Sequence, residues 1–162
     1  MSKKRPFILR ILYYVLQWTW GILQNLIGFL YSLKYRKNRR AWYHGAYVVY
    51  VDDWLGGLSL GMFVFATEIS DKTCARYLEA GVTLDEKRQS ATVTHEFGHT
   101  LQSILLGPLY LIVIGIASFS WKNLKYFQKL RKEKNLKYMD LFCEKWANEW
   151  GNKWTGDEVS YH

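Results

Sequence analysis

The first apolar stretch of the chain runs from residue 7 to residue 33 and has basic residues on both sides. Its polar and small residues recur every three or four positions, so a helix over this stretch would collect them on one face. These residues are Arg10, Tyr14, Gln17, Gly21, Gln24 and Gly28. The pattern predicts a membrane or interfacial helix over residues 7–33 that packs on protein through this stripe and faces lipid elsewhere. A buried core helix of a soluble domain is the alternative interpretation.

Residues 46–66 follow a different pattern, in which β-branched and aromatic residues flank a turn rich in aspartate and glycine. Such a pattern is typical of a β-hairpin, and we expect one over residues 46–66. A helix is then predicted over residues 84–106, where Thr83 and Glu86 can form a capping box at its start. Gly107 and the proline that follows it mark the end of this helix.

The rest of the chain is expected to be helical or interfacial. The apolar residues 109–121 are too few to cross a bilayer alone, and their glycine favours a segment lying in the interface. Residues 122–137 are strongly basic and suit a solvated or lipid-facing helix surface. A final helix is predicted over residues 138–150. Together these elements predict a mainly helical α+β fold in a single domain over residues 1–162.

Composition narrows the choice of partner. The chain has 162 residues, of which 49% are apolar and 17% aromatic, and its 22 Lys and Arg against 14 Asp and Glu give a net charge of +8. Because the positive charge flanks apolar segments and is not interleaved with exposed aromatic residues, it indicates membrane lipid as the partner and argues against nucleic acid. Cys74 and Cys143 lie far apart, so neither a disulfide framework nor a cysteine metal knuckle is indicated.

The predicted helix over residues 84–106 contains His95, Glu96 and His99 in the spacing H-E-x-x-H. Two imidazoles four residues apart lie on one face of a helix, so both can bind one zinc ion (Zn²⁺). Glu96 projects to one side of this pair, where it can act as the general base that takes a proton from an activated water. Gly98 in mid-helix is unfavourable for a helix and indicates that another segment approaches closely.

A catalytic zinc site normally has three protein ligands, so a third one is needed. We expect it to be Glu144 on the final helix, with Asn148 one turn later orienting the free N–H of a ligating histidine. A third histidine shortly after the motif is ruled out, because the two positions where it would stand carry Gln and Leu. The competing ligands are His44, Asp140, Cys143, Glu149 and His162.

The H-E-x-x-H motif followed by Glu144 resembles the gluzincin branch of the zincin metallopeptidases, in which a second helix supplies a glutamate ligand. The segments around residues 95–103 and 106–110 are also similar to those of small bacterial proteins with membrane-associated segments. The chain departs from the usual gluzincin helix at Cys143 and Asn148. The resemblance implies a zincin-like fold with an edge strand beside the metal helix, and residues 61–66 are the expected strand, with Met62 and Val64 binding an extended substrate. The alternative is that Phe63 and Phe65 pack the core on one face of this strand while Met62 and Val64 pack against other residues.

These observations predict a membrane-associated zinc hydrolase that acts on a peptide or protein, with Glu96 as the general base. The alternative is a non-catalytic membrane protein that keeps a structural metal site as a binding or regulatory module. The basic segments favour the inner or plasma membrane, with the site on its cytoplasmic face. No feature of the sequence indicates an oligomeric state.

Overall fold

A four-stranded sheet covered by helices forms the fold, and the computed structural model describes residues 7–53 and 56–157. The architecture is α+β and mainly helical, as the sequence predicts. The strands are β1 (Arg40–Tyr43), β2 (Ala46–Val51), β3 (Gly57–Leu60) and β4 (Phe63–Thr67). The helices are α1 (Phe7–Trp18), α2 (Ile22–Lys34), α3 (Asp71–Glu79), α4 (Glu86–Leu106), α5 (Ala117–Asn123), α6 (Lys125–Glu133) and α7 (Phe142–Thr155).

The N-terminal apolar stretch forms two helices, α1 and α2, and the prediction of one helix over residues 7–33 is therefore wrong. The helix is interrupted between them, and Gly21 is the N-cap of α2. Glycine is unfavourable in the interior of a helix, which explains a break at this position. The predicted polar stripe is mostly confirmed, since Gln17, Gln24 and Gly28 are buried. Arg10, which the same pattern placed on this stripe, is exposed.

Buried amide side chains join α1 and α2 to α4. Gln17 Nε2 donates to the carbonyl of Thr100 at 3.0 Å. Gln24 Nε2 donates to Ser103 Oγ at 2.9 Å and to the carbonyl of Gly107 at 3.0 Å. Buried polar groups need such partners to offset their lost hydration, so these bonds hold the helical pair in one position on α4.

The sheet has the strand order β1-β2-β4-β3. β2 and β4 run parallel, with Val48 opposite Val64, so the predicted hairpin between them is wrong. The hairpin that does form joins β3 to β4, and its turn contains Gly61 at a φ of +63°. Residues 46–66 therefore hold three strands, because the predicted turn through Asp52 and Gly57 is the connection that carries the chain to β3.

The prediction that residues 61–66 form an edge strand is also wrong. β4 lies inside the sheet between β2 and β3, and Met62 and Val64 are buried, so neither can face an extended substrate. Residues 61–66 are instead covered on both faces, which explains their continuous run of apolar residues. The outer strand on this side of the sheet is β3, whose Ser59 faces the centre described below.

Helix α4 lies across the sheet and is buried along most of its length. It begins at Glu86, because the side chain of Asp85 accepts a hydrogen bond from the backbone N–H of Arg88 at 2.8 Å. The predicted cap at Thr83 is therefore wrong, although the end of the helix at Gly107 is confirmed by a φ of +51° there. Val93, Phe97 and Leu101 of this helix belong to the same core as the sheet.

The last third of the chain folds back over α4. A π-helical turn, Leu111–Ile116, precedes α5, and the basic residues after α5 form the short helix α6. The final helix begins at Phe142, later than the predicted residue 138, because Tyr138–Asp140 form a separate 3-10 turn. No single helix among the described residues is long and apolar enough to cross a bilayer, whereas Glu86–Leu109 and Leu111–Asn123, bent by 114°, reach that length and composition together.

Candidate metal centre

The centre forms where α7 crosses α4 at very short range. A Cβ atom placed on Gly98 would overlap the carbonyl oxygen of Ala147, and one on Gly151 would overlap the carbonyl oxygen of Thr94. Glycine at both positions removes these clashes and lets the two backbones touch. The close approach expected from Gly98 is thus confirmed, and it sets Glu144 and Asn148 of α7 opposite the histidines of α4.

Three ligand atoms converge at this crossing. Glu144 Oε2 lies 3.0 Å from Nε2 of His95 and 3.3 Å from Nε2 of His99. All three side chains are buried, and their ligand atoms lie within 4.8 Å of one another. His95, His99 and Glu144 therefore form a group that can hold a metal ion, which is the set expected from the sequence.

Each histidine is oriented by a hydrogen bond at its other ring nitrogen. Nδ1 of His99 lies 2.7 Å from Oε1 of Gln102, whose Nε2 donates to the carbonyl of Cys143 at 2.8 Å. Because this bond fixes the amide orientation, Nδ1 of His99 is the donor, so Nε2 is the nitrogen that faces Glu144 and that can bind a metal once it carries no proton. Nδ1 of His95 donates in the same way to Oδ1 of Asn148 at 2.6 Å, as predicted.

Glu144 is held in its ionised form. Burial alone would raise the pKa of its carboxyl group, but the hydrogen bonds with His95 and His99 outweigh burial and hold the pKa below its usual range. Tyr138 Oη donates to the second oxygen, Oε1, at 3.1 Å, and accepts from Ser118 Oγ at 2.7 Å. One carboxylate oxygen thus faces the two imidazoles while the other is occupied by a phenol.

Glu96 lies beside this group and is not part of it. Its carboxylate rests against β3, where a Cβ atom on Gly57 would overlap it, and the hydroxyl of Ser59 hydrogen-bonds to it. Burial raises the pKa of Glu96 to about 7. The carboxyl group can therefore either accept or donate a proton near neutral pH, which is what general acid–base chemistry requires.

A cavity of about 740 Å³ opens onto His95, Glu96, His99 and Glu144. One wall is β3 with the start of α4. The opposite wall is a single face of the segment that runs through the π-helical turn into α5. That face consists of Leu111, Ile114, Gly115, Ser118, Phe119 and Lys122.

The competing ligands lie elsewhere or serve other contacts. The ring of His44 packs on Tyr43 and Phe97. Asp140 accepts a hydrogen bond from the backbone N–H of Lys137, and the side chain of Glu149 is exposed. Cys143 is buried, which raises the pKa of its thiol to about 12, and its Sγ contacts Glu144 rather than the histidines. His162 lies outside the described residues.

Three residues that contact the metal-binding side chains or Glu96 were not predicted from the sequence. Gln102 was noted only as a position without a histidine, although it stands three residues after His99 and so shares its helix face. The sequence does not distinguish Tyr138 from Tyr110 and Tyr126 as a tyrosine that could donate a hydrogen bond at the centre. Gly57 was taken as part of a turn, and nothing local to it indicates that a carboxylate from α4 would occupy the space of its side chain.

Comparisons of the chain with protein-family models, with curated proteins and with solved structures found no match.

Proposed function

We propose that this chain is a membrane-associated, zinc-dependent hydrolase that cleaves peptide bonds, with a zincin-like arrangement of its metal helix. The observation that carries the proposal is the position of Glu96. It is a buried carboxyl group that opens onto the same cavity as the three metal-binding side chains without belonging to them. A metal that only stabilises the fold does not need such a group.

The ligand set supports zinc. Two imidazole nitrogens and one carboxylate oxygen are typical of catalytic zinc sites, which leave a fourth position open for water or substrate. Zinc bonds of about 2.0–2.1 Å in tetrahedral geometry place neighbouring ligand atoms about 3.3 Å apart. Glu144 Oε2 lies 3.0 and 3.3 Å from the two Nε2 atoms, which is close to that spacing for both carboxylate–imidazole pairs.

Zinc bound here would act as a Lewis acid that polarises the substrate carbonyl and makes a water molecule easier to deprotonate. Glu96 accepts the proton of that water as it attacks the carbonyl carbon. The same carboxyl group then delivers the proton to the departing amine nitrogen, so the chain ends the cycle in its original protonation state. Both transfers need a carboxyl group that can gain and lose a proton, and burial, which favours its neutral form, helps it to hold the proton between the two steps.

The exposed surface of α1 and α2 supports attachment to a membrane. The two helices expose a continuous set of large apolar side chains, including Ile8, Leu12, Leu23, Leu26 and Leu30. Soluble proteins rarely expose an apolar area of this kind, and lysine and arginine residues follow it at positions 34–40. Apolar helices bounded by cations fit a bilayer that contains anionic phospholipid. We place the protein at the inner or plasma membrane, with the centre on the cytoplasmic face.

The test is hydrolysis by the full chain reconstituted in phosphatidylcholine and phosphatidylglycerol vesicles. Glu96→Gln is compared with the wild type and with Glu86→Gln, a matched change on the exposed start of α4. A quenched fluorescent peptide library is the substrate. We expect Glu96→Gln to lower the rate by about 10²–10⁴-fold and Glu86→Gln to leave it unchanged. Equal rates for the wild type and Glu96→Gln, or no hydrolysis by zinc-loaded wild type, would leave the structural-metal alternative as the better account.

A further inference from the structure

One segment separates the metal cavity from the apolar exterior. Residues 111–122 place Leu111, Ile114, Ser118 and Lys122 at intervals of three or four, and all of these line the cavity. Side chains at such intervals share one face of a helical segment, so this face points inward. The inner wall of the cavity and an outer surface of the protein are therefore two sides of the same helical segment.

The outer side of this segment is apolar and exposed. Ile112 and Ile116 are 60% and 59% exposed, and neither lines the cavity. Phe119 both lines the cavity and is 65% exposed, which places it at the cavity mouth. Large exposed apolar side chains so close together along the chain are typical of a surface that a bilayer covers.

The N-terminal helices pack against the start of this segment. The indole of Trp20, between the two N-terminal helices, occupies the space where Gly107 would carry a side chain. Gln24 of α2 is hydrogen-bonded to the carbonyl of the same glycine. Trp20 and Leu109, on the two sides of this contact, are 52% and 57% exposed, so apolar side chains of both elements reach the surface beside it.

The polarity of the inner wall changes along its length. It begins with Leu111 and Ile114 and ends with Ser118 and Lys122, and the Nζ of Lys122 approaches Gly56 at the far rim. An apolar group entering past Phe119 would lie against the first two residues, while a polar backbone would lie near the last two. This order matches a molecule that is held in a membrane by an apolar part and cleaved at its polar part.

We propose that the substrate enters the centre from the bilayer, and that the cavity binds a long apolar group next to the cleaved bond. The substrate class is accordingly a membrane-embedded amphiphilic peptide, with its apolar part supplied by an acyl chain or by apolar side chains. This inference rests on the proposed metal-dependent function, which supplies the reaction at the polar end. It adds the direction of entry and the chemistry that selects the substrate.

Alkyl hydroxamates provide a test that does not depend on activity, because they bind metal ions directly. The full chain is loaded with Co²⁺ in phosphatidylcholine and phosphatidylglycerol vesicles, and the cobalt absorption bands report binding of acetohydroxamate or octanohydroxamate. Each methylene placed in apolar surroundings raises affinity about fourfold. We expect octanohydroxamate to bind at least about a hundredfold more tightly than acetohydroxamate.

Gly115→Leu separates this effect from simple partitioning of the longer compound into lipid. A Cβ atom at Gly115 meets only the side chain of Leu111, at 3.9 Å, so a larger side chain can begin there, and Gly115 lines the cavity that it would fill. We expect Gly115→Leu to weaken octanohydroxamate binding about tenfold or more and to leave acetohydroxamate binding unchanged. Ile116→Trp, which adds bulk to the outer side of the same segment, is the matched control and should change neither.

The outcomes distinguish this inference from the proposed function. Equal affinity for both hydroxamates, or octanohydroxamate binding that Gly115→Leu does not alter, would overturn the membrane-entry inference while the metal centre stands. Failure to bind Co²⁺ at all would overturn both. Leucyl-leucine hydroxamate, measured beside octanohydroxamate, shows whether apolar side chains or an acyl chain fit the cavity better, and tight binding of either supports the inference.

Discussion

Gly98 of α4 lies directly against the carbonyl oxygen of Ala147 in α7, with no room for a methyl group between them. The contact falls within the span that carries His95 and His99 on one helix and Glu144 and Asn148 on the other. The spacing of the two backbones therefore determines whether the carboxylate reaches the imidazoles. A residue with no side chain is as important to this centre as the ligands themselves.

The first prediction concerns this contact. Gly98→Ala forces α4 and α7 apart, because the opposing group is a backbone carbonyl that cannot rotate away. We expect the free energy of unfolding to fall by about 1–3 kcal/mol, as for other overpacked cores, and metal affinity to fall with it. Urea denaturation and zinc titration measure the two effects.

Gly115→Ala is the control for Gly98→Ala. It adds the same methyl group to a helical segment, but the nearest atom outside its own neighbours lies 3.9 Å away. We expect Gly115→Ala to leave stability unchanged or to raise it by up to about 1 kcal/mol through better helix propensity. If the two variants have equal stability, the close crossing of the helices does not govern the centre.

The second prediction concerns the groups that orient the histidines. Gln102→Leu removes the acceptor for Nδ1 of His99, and Asn148→Leu removes that for Nδ1 of His95. Loss of such a partner typically lowers metal affinity about 10–100-fold, and we expect this of each variant. Competition with a chromogenic chelator measures the affinity. Gln128→Leu, an exposed change on α6, is the control and should bind zinc like the wild type.

The third prediction concerns membrane attachment through α2. Leu23 and Leu30 are 50% and 64% exposed on its outer face. The double variant Leu23→Glu with Leu30→Glu removes two apolar side chains, each worth about 1.5–3 kcal/mol on burial. We expect binding to anionic vesicles, measured by flotation, to fall at least a hundredfold.

Leu78→Glu is the control for the membrane variant, because Leu78 is 70% exposed on α3, which is not one of the helices proposed to contact lipid. It should leave flotation unchanged. Vesicle binding that survives the double change on α2, or that Leu78→Glu weakens equally, would show that the apolar face of α2 does not contact lipid.

The sequence predicts the metal-binding side chains more accurately than it predicts the strand order of the sheet. A spacing of four residues on a helix fixes the relative positions of His95 and His99 whatever surrounds them, and the spacing from Glu144 to Asn148 does the same on α7. Gln102 follows the same rule, and helix geometry would have found it. Strand pairing has no such local rule, because a run such as residues 63–67 fits an edge or a central position until its neighbours are known.

The remaining differences arise from long-range contacts. The side chain that occupies the space beside Gly57 comes from Glu96, and no pattern around residue 57 indicates it. The stripe on residues 7–33 predicts correctly that Gln17 and Gln24 are buried, because helical periodicity persists through the short break. The stripe does not predict the break at Gly21, because glycine also occurs within membrane helices. The hydrogen bonds that hold the two helices in place come from residues distant in sequence.

Zinc content after purification without chelators is the most direct test of a zinc centre formed by His95, His99 and Glu144. Elemental analysis is made on the wild type, Glu96→Gln, Glu144→Ala and Glu149→Ala, the last being an exposed glutamate on the same helix as Glu144. We expect about one zinc per chain in the wild type, Glu96→Gln and Glu149→Ala, and strong depletion in Glu144→Ala. A wild type without zinc, or a Glu144→Ala variant that retains it fully, would show that these side chains do not form a zinc centre.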